Sequence, residues 1–176
     1  MINSDTLEMD ALMNTAARAC VAARTAPKTR GIDNVRTCVV NAGELNAIAE
    51  EMERLGAHTG LGSFARDAQN VRASKAIVLI GTIETTRGLN AACCYCHFGD
   101  CAGCSAAGAC CVYDSMDLGI ALGSAVATIA DDRIDNRIMF SIGKAALSLG
   151  MMAHDVKIAM GIPLCAGGKN PFFDRK

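Results

Sequence analysis

The sequence predicts a mixed α/β (α+β) fold: a small central β-sheet covered by helices, with a Cys-rich loop inserted before a buried helix. Three observations carry this. Short β-prone runs stand at Val35–Val40, Lys75–Glu84 and Asp155–Leu164. Five stretches with apolar residues at helical spacing surround them, the pattern of a sheet packed under helices. Finally, "NAACCYCHFGDCAGCSAAGACC" (Asn90 to Cys111) holds seven of the chain's ten cysteines in a Gly- and Ala-rich setting that suits neither element.

In chain order, "SDTLEMDALMNTAARACVAARTA" reads as a helix capped by Ser4 or Asp5. It should stop near Pro27, because the residue before a proline resists the α region. "APKTRGIDN" is a loop, and "VRTCVV" a β-branched strand. "GELNAIAEEMERLG" is an amphipathic helix closed by Gly56, "HTGLGS" a loop, and "FARDAQNVRAS" a short helix. "KAIVLIGTIE" is apolar on both faces in its middle and therefore reads as the central strand. After the cysteine segment, "VYDSMDLGIALGSAVATIADD" is apolar around most of its middle and predicts a deeply buried helix. Gly119 and Gly123, one turn apart, would admit another backbone. "DNRIMFSIGKAALSLG" predicts a helix running from a cap at Asp135 to Gly150. "DVKIAMGIPL" is the last strand, and "CAGGKNPFFDRK" an irregular tail. No linker or repeat divides the chain, so residues 1–176 form one domain with the cysteine segment, 90–111, inside it.

Composition removes several function classes. A net charge of −1, with charges interspersed, gives no electrostatic case for nucleic acid or an anionic membrane. Trp is absent and aromatics make up 4%, so base-stacking platforms are not expected. The longest apolar run, Leu118 to Ala130, falls short of the roughly 20 residues that span a bilayer. No secretory signal is visible in the opening residues. The expectation is a soluble, cytoplasmic protein without nucleic-acid or membrane partners, in a compartment where structural disulfides are rare.

Against that background the cysteines point to metal. Cys93, Cys96 and Cys101 form C-x2-C-x4-C, and Cys111 follows after nine intervening residues. Four thiolates satisfy the ligand count of a [4Fe–4S] or [2Fe–2S] cluster. Sulfur suits it as a soft donor that spreads electron density as oxidation state changes. Zinc would also accept four thiolates, but a second C-x2-C at ribbon separation is missing. Disulfides between neighbours such as Cys93–Cys94 and Cys110–Cys111 form only with strain. Cys94, Cys104 and Cys110 are left over. "CAGC" (Cys101 to Cys104) offers an alternative chelate, so Cys104 or Cys110 could replace an assigned ligand. Seven donors could also hold a larger or second cluster. His97 lies inside the loop and reads as exposed or hydrogen-bonded rather than as an iron ligand.

On "CVYDSMDLGIALGSAVATIADDRIDNRIMFSIGKAA", "GIPLCAGGKNPFFDR" and "RGIDNVRTCVV", the chain resembles the family of uncharacterised proteins that contain a ferredoxin domain. That resemblance covers nearly the whole chain. It implies an iron–sulfur centre with metal ligands at Cys93, Cys96, Cys101 and Cys111, the last because it directly precedes "VYDSMDLGIALGSA". The family supplies no reaction. The spacing C-x2-C-x4-C is also similar to cluster domains of corrinoid iron–sulfur proteins from anaerobes, and the exposed-looking cluster loop reads as that of an anaerobic source. A weaker resemblance, on "AARTAPKTRGIDNVRTCVVNAGELNAIAEEM" and "ALSLGMMAHDVKIAMGIPL", is to nitroreductase-like flavoproteins. It implies a homodimer with intertwined helices and FMN at the interface, with Lys28 and Arg30 as candidates for the flavin phosphate. The arginine-serine-arginine opening of those flavoproteins is not seen.

The remaining polar and sulfur residues have plainer readings. Asp114 and Asp117 favour the positive end of the buried helix. Asp131, Asp132 and Asp135 read as a helix end, a turn and a new cap. His58 and His154 read as surface residues. Cys20 and Cys38 behave as small core residues, and Cys165 as structural. "AGGKN" lacks the spacing of a phosphate loop. The expected function is one-electron transfer through an iron–sulfur cluster. The alternatives are a flavin-assisted oxidoreductase, or a cluster-assembly or redox-sensing role using the spare thiols. No redox partner or catalytic residue is identified, and enzyme activity stays open.

Overall fold

A computed structural model describes residues 1–173. The last three residues of the tail, and with them the end of "GIPLCAGGKNPFFDR", lie outside the described residues. The apolar run predicted to be central is central: β2 (Ala76–Ile83) pairs antiparallel with β1 (Val35–Val40) on one side and β4 (Val156–Cys165) on the other. A two-residue strand, β3 (Asp135–Asn136), adds to β4, giving the order β1-β2-β4-β3. The register aligns Val35 with Thr82 and Ile80 with Met160, with an irregularity at Thr82/Ile83.

Side chains alternate across a strand, so β2 feeds two cores. Val78 and Ile80 face α1 (Ser4–Thr25) and α5 (Val112–Asp131), packing with Leu12, Ala16, Leu118 and Ile129. Ile77 and Leu79 face the other way, into α2 (Leu45–Thr59), α3 (Ser63–Ala73) and α6 (Phe140–Ser148). All four strand side chains are fully buried, each worth about 1.5–3 kcal/mol. The result is a three-layer sandwich of helices, sheet and helices.

The predicted helices are present, with corrected ends. Asn3, not Ser4 or Asp5, caps α1 by accepting from the Thr6 N–H. Gly56 does not close α2; the helix continues to Thr59 and ends at Gly60, whose φ of 72° only glycine adopts without strain. Residues 135–139 are not helical: Asp135 and Asn136 pair with β4, and Met139 exchanges both backbone hydrogen bonds with Gly161. Propensity missed this because the sheet edge offered those groups partners. α6 then crosses β4 so closely that a Cβ on Gly143 would stand 1.8 Å from the Ala159 carbonyl oxygen. Gly119 and Gly123, by contrast, have nothing within 4 Å. α5 buries one side only, leaving Met116 and Ile120 about half exposed.

Candidate metal centre

The cysteine segment leaves β2 and returns to α5, and three devices fold it. First, Asn90, Cys94 and His97 all have positive φ (49°, 50° and 64°), which non-glycine residues rarely adopt. These turns curl the chain between Cys93 and Cys96. Second, residues 101–106 form a short helix, α4 (Cys101–Ala106), absent from the sequence reading. Asp100 caps it, accepting from the Gly103 N–H at 2.7 Å. The helix puts Cys101 and Cys104 one turn apart on one face. Third, Gly108 (φ 63°) turns the chain so that Cys111 lands at the N-terminal end of α5.

These devices bring Cys93, Cys96, Cys101, Cys104 and Cys111 around one small, partly open cavity, with Phe98 and Tyr113 in its wall. The Tyr95 and Tyr113 rings lie 6.2 Å apart. All ten cysteines are free thiols. Cys104 is the deepest, 1% exposed. Burial pushes its thiol up to about 11, and the neighbouring Cys96 thiol adds to the rise. Burial likewise raises the Tyr113 hydroxyl, helped by Cys93.

The other sulfurs separate from this group. Cys94 also reaches the cavity wall, but it is exposed and its single S–H has the Asn90, Ala91 and Gly99 carbonyls as alternative acceptors, Gly99 the nearest at 3.5 Å. Cys110 turns to the Cys111 carbonyl and Ser115. Cys20 and Cys38 pack against the two cores, and Cys165 is buried at the end of β4. His97 is exposed.

Beneath the thiols lies a buried charge cluster that the sequence reading did not assemble. Arg87 lines the cavity and is 1% exposed. Its Nη2 stands 2.8 Å from Asp114 Oδ1 and 2.9 Å from Asp117 Oδ2. Asp114 also accepts from Asn34 Nδ2 and the Thr85 N–H, both at 3.0 Å. Asp117 accepts from the Thr29 N–H and hydroxyl. The two aspartates are therefore counter-ions that bind two loops to α5, rather than solvated helix-end charges. A signal was present: two carboxylates at i, i+3 on the buried side of an apolar helix require a cation, and "TTRGLN" supplies one just before the cysteines.

Both cations suggested for a flavin phosphate are already engaged. Lys28 donates to the Arg24 and Ala26 carbonyls, and Arg30 to the Arg87 carbonyl at 2.6 Å.

The donor set is thiol-rich, the ligand type that iron–sulfur clusters take. Among the described residues, no three His, Cys, Asp or Glu side chains converge closely enough to grip a single metal. Thiolates about 2.3 Å from one zinc ion would crowd within about 4 Å of one another. The cysteines lining the cavity exceed the four thiolates that a cluster takes as ligands. The N-terminal end of the 20-residue α5 faces the same cavity through Val112 and Tyr113, and its dipole favours negative charge there. Among the described residues, no helix is long and apolar enough to cross a membrane.

Comparison with known proteins places these features. Two solved structures share the fold. A nitroreductase with bound FMN from Bacteroides fragilis aligns with a TM-score of 0.60 at 12% identity, over 93% of this chain and 77% of that one. A nitroreductase family protein from Clostridium novyi aligns with a TM-score of 0.59 at 16% identity, over 99% and 79%. Residues 107–175 match the family described as uncharacterized protein containing a ferredoxin domain. That segment takes in Cys110, Cys111 and Cys165 but not Cys93 to Cys104. An uncharacterized protein from Archaeoglobus fulgidus is 41% identical over 184 residues, covering 99% of this chain and 97% of the relative. The chain thus carries its thiol-lined cavity on a nitroreductase fold and belongs to the family of uncharacterized proteins containing a ferredoxin domain.

Proposed function

We propose that this protein is an iron–sulfur redox protein that transfers single electrons through a [4Fe–4S] cluster held by Cys93, Cys96, Cys101 and Cys111. One observation carries the reading: a strained turn, a short helix and a helix start, distant from one another in design, all deliver thiols to one cavity. When bound, the cluster supplies reversible one-electron chemistry. The chain supplies the rest. The glycine-poor turns at Asn90, Cys94 and His97 hold Cys93 and Cys96 inward, Phe98 and Tyr113 limit water, and the α5 dipole offsets thiolate charge. Cys104 is the fifth thiol, buried against Cys96.

The test is iron and acid-labile sulfide content of anaerobically purified protein, with electron paramagnetic resonance after reduction. Ala at Cys93, Cys96, Cys101 or Cys111 should each lower iron content strongly, while Cys38→Ala should leave it unchanged. Iron retained equally across that series would refute the ligand set. Cys104→Ala, compared alongside, reads whether the fifth thiol takes a ligand's place.

A second reading, a flavin-assisted oxidoreductase, draws on the fold shared with a structure that holds FMN. Lys28 and Arg30 are committed to backbone carbonyls, so flavin phosphate would need other partners. Flavin released on denaturing the purified protein would favour this reading; its absence favours the cluster alone.

A further inference from the structure

Arg87 contains a polar atom that nothing in the protein satisfies. A guanidinium presents five N–H donors in a rigid fork. Nη2 serves Asp114 and Asp117; Nη1 serves the Thr85 hydroxyl at 3.0 Å and the Thr85 carbonyl at 3.4 Å. The Nε–H alone is buried without an acceptor. Native interiors rarely leave a donor of a charged group unpaired, so such an atom marks either strain or a missing partner. Strain is a poor account here, because the other four N–H groups are matched and the Arg87 carbonyl is itself held by Arg30. A missing partner is a good account: the same residue lines the cavity that six cysteines reach.

We propose that Arg87 is a positioning residue for the cluster: its Nε–H donates to a thiolate or inorganic sulfide, while Asp114 and Asp117 hold the guanidinium through the neighbouring Nη2. This rests on the iron–sulfur reading above. Hydrogen bonds to cluster sulfur stabilise the more negative, reduced state. The cation does so as well, and the two carboxylates oppose it. The trio thereby sets how readily the cluster accepts an electron from an external donor. It also couples the cluster to Thr29 and Thr85, the loop residues held by the same aspartates.

The opposing charges give signed outcomes. Arg87→Lys keeps the positive charge and removes the Nε–H. The equilibrium constant for reduction by a viologen of fixed potential should fall about tenfold, or about 59 mV for a one-electron couple. Asp117→Asn keeps an acceptor for Thr29 and removes negative charge, so its potential should rise. In unmutated protein grown with arginine labelled at Nε by the heavy nitrogen isotope, pulsed electron paramagnetic resonance of the reduced cluster should show hyperfine coupling to the label. That arm holds even if the Lys variant fails to fold. Unchanged potentials in variants with full iron and sulfide, or a cluster-bearing protein without the coupling, overturn the assignment. Unmutated protein lacking iron and sulfide overturns instead the reading it rests on.

Discussion

Arg87, Asp114 and Asp117 show what a single charge does when it leaves water. Each is almost fully buried, and each survives there because the others neutralise most of its field. Truncating Arg87 to Ala would leave two uncompensated carboxylates beneath the cavity. We expect a loss of about 3–5 kcal/mol, measured by chemical denaturation, the range for breaking a buried ion pair from one side. Exposed pairs such as Arg72–Glu53 should contribute far less, about 0–1 kcal/mol. Cys104 makes a parallel point about sulfur: its sequence position suggested a spare, and its burial makes it the innermost thiol of the group. Sequence spacing could single out the cysteines, but it could not rank them by depth.

Among the elements, α6 on β4 is the contact with least tolerance. Gly143 lies on the Ala159 carbonyl, and Gly161 lies under the Ile142 side chain. A methyl group at Gly143 has nowhere to go, because the obstructing atoms are backbone. Gly143→Ala should therefore destabilise by about 3 kcal/mol. Gly119→Ala, facing open space in a helix, should be neutral or stabilising by up to about 1 kcal/mol. Thermal or denaturant midpoints of the two variants check this contrast. The sequence drew attention to the second pair of glycines and passed over the first. Both sit in apolar helical or strand text, and only packing tells a crowded glycine from a free one.

For the whole molecule, two expectations follow from its surface. α5 leaves Met116 and Ile120 about half exposed, one turn apart on its surface. If the chain pairs as the sequence resemblance implies, this is the surface where a second copy would sit. Ile120→Glu should shift the mass measured by light scattering from dimer to monomer; an unmutated protein already monomeric would refute the pairing. The second expectation concerns acid. Hydrogen bonds from Arg54 and then Ser148 hold the Glu51 carboxyl down at about 2, while Thr15 and Arg18 lower Asp132, and Arg72 lowers Glu53. Carboxyls depressed in the folded state contribute fully above their unfolded values of about 4. That contribution is lost as pH falls through the folded ones. Denaturant midpoints should decline between about pH 5 and pH 2, and added salt should shrink the decline, because the Arg18 and Arg54 partners lie in solvent.

Local chemistry was enough to locate the main strands, five of the helices and the cysteines that line the cavity. Periodicity and thiol spacing are properties of neighbouring residues, and neighbouring residues are what a sequence displays. Val35–Val40 was read with its ends correct for that reason. The extended pairing of residues 135–139, the true end of α2 and the helix at Cys101–Ala106 needed partners far along the chain or caps within a loop. The Arg87 network is the sharpest case. Its members come from three separate segments, and their cost of desolvation is offset only where folding brings the opposite charges within 3 Å. Sequence chose the atoms that can bind and neutralise; the tertiary structure alone decided which of them meet, because burial and Coulomb attraction depend on distance through space rather than along the chain.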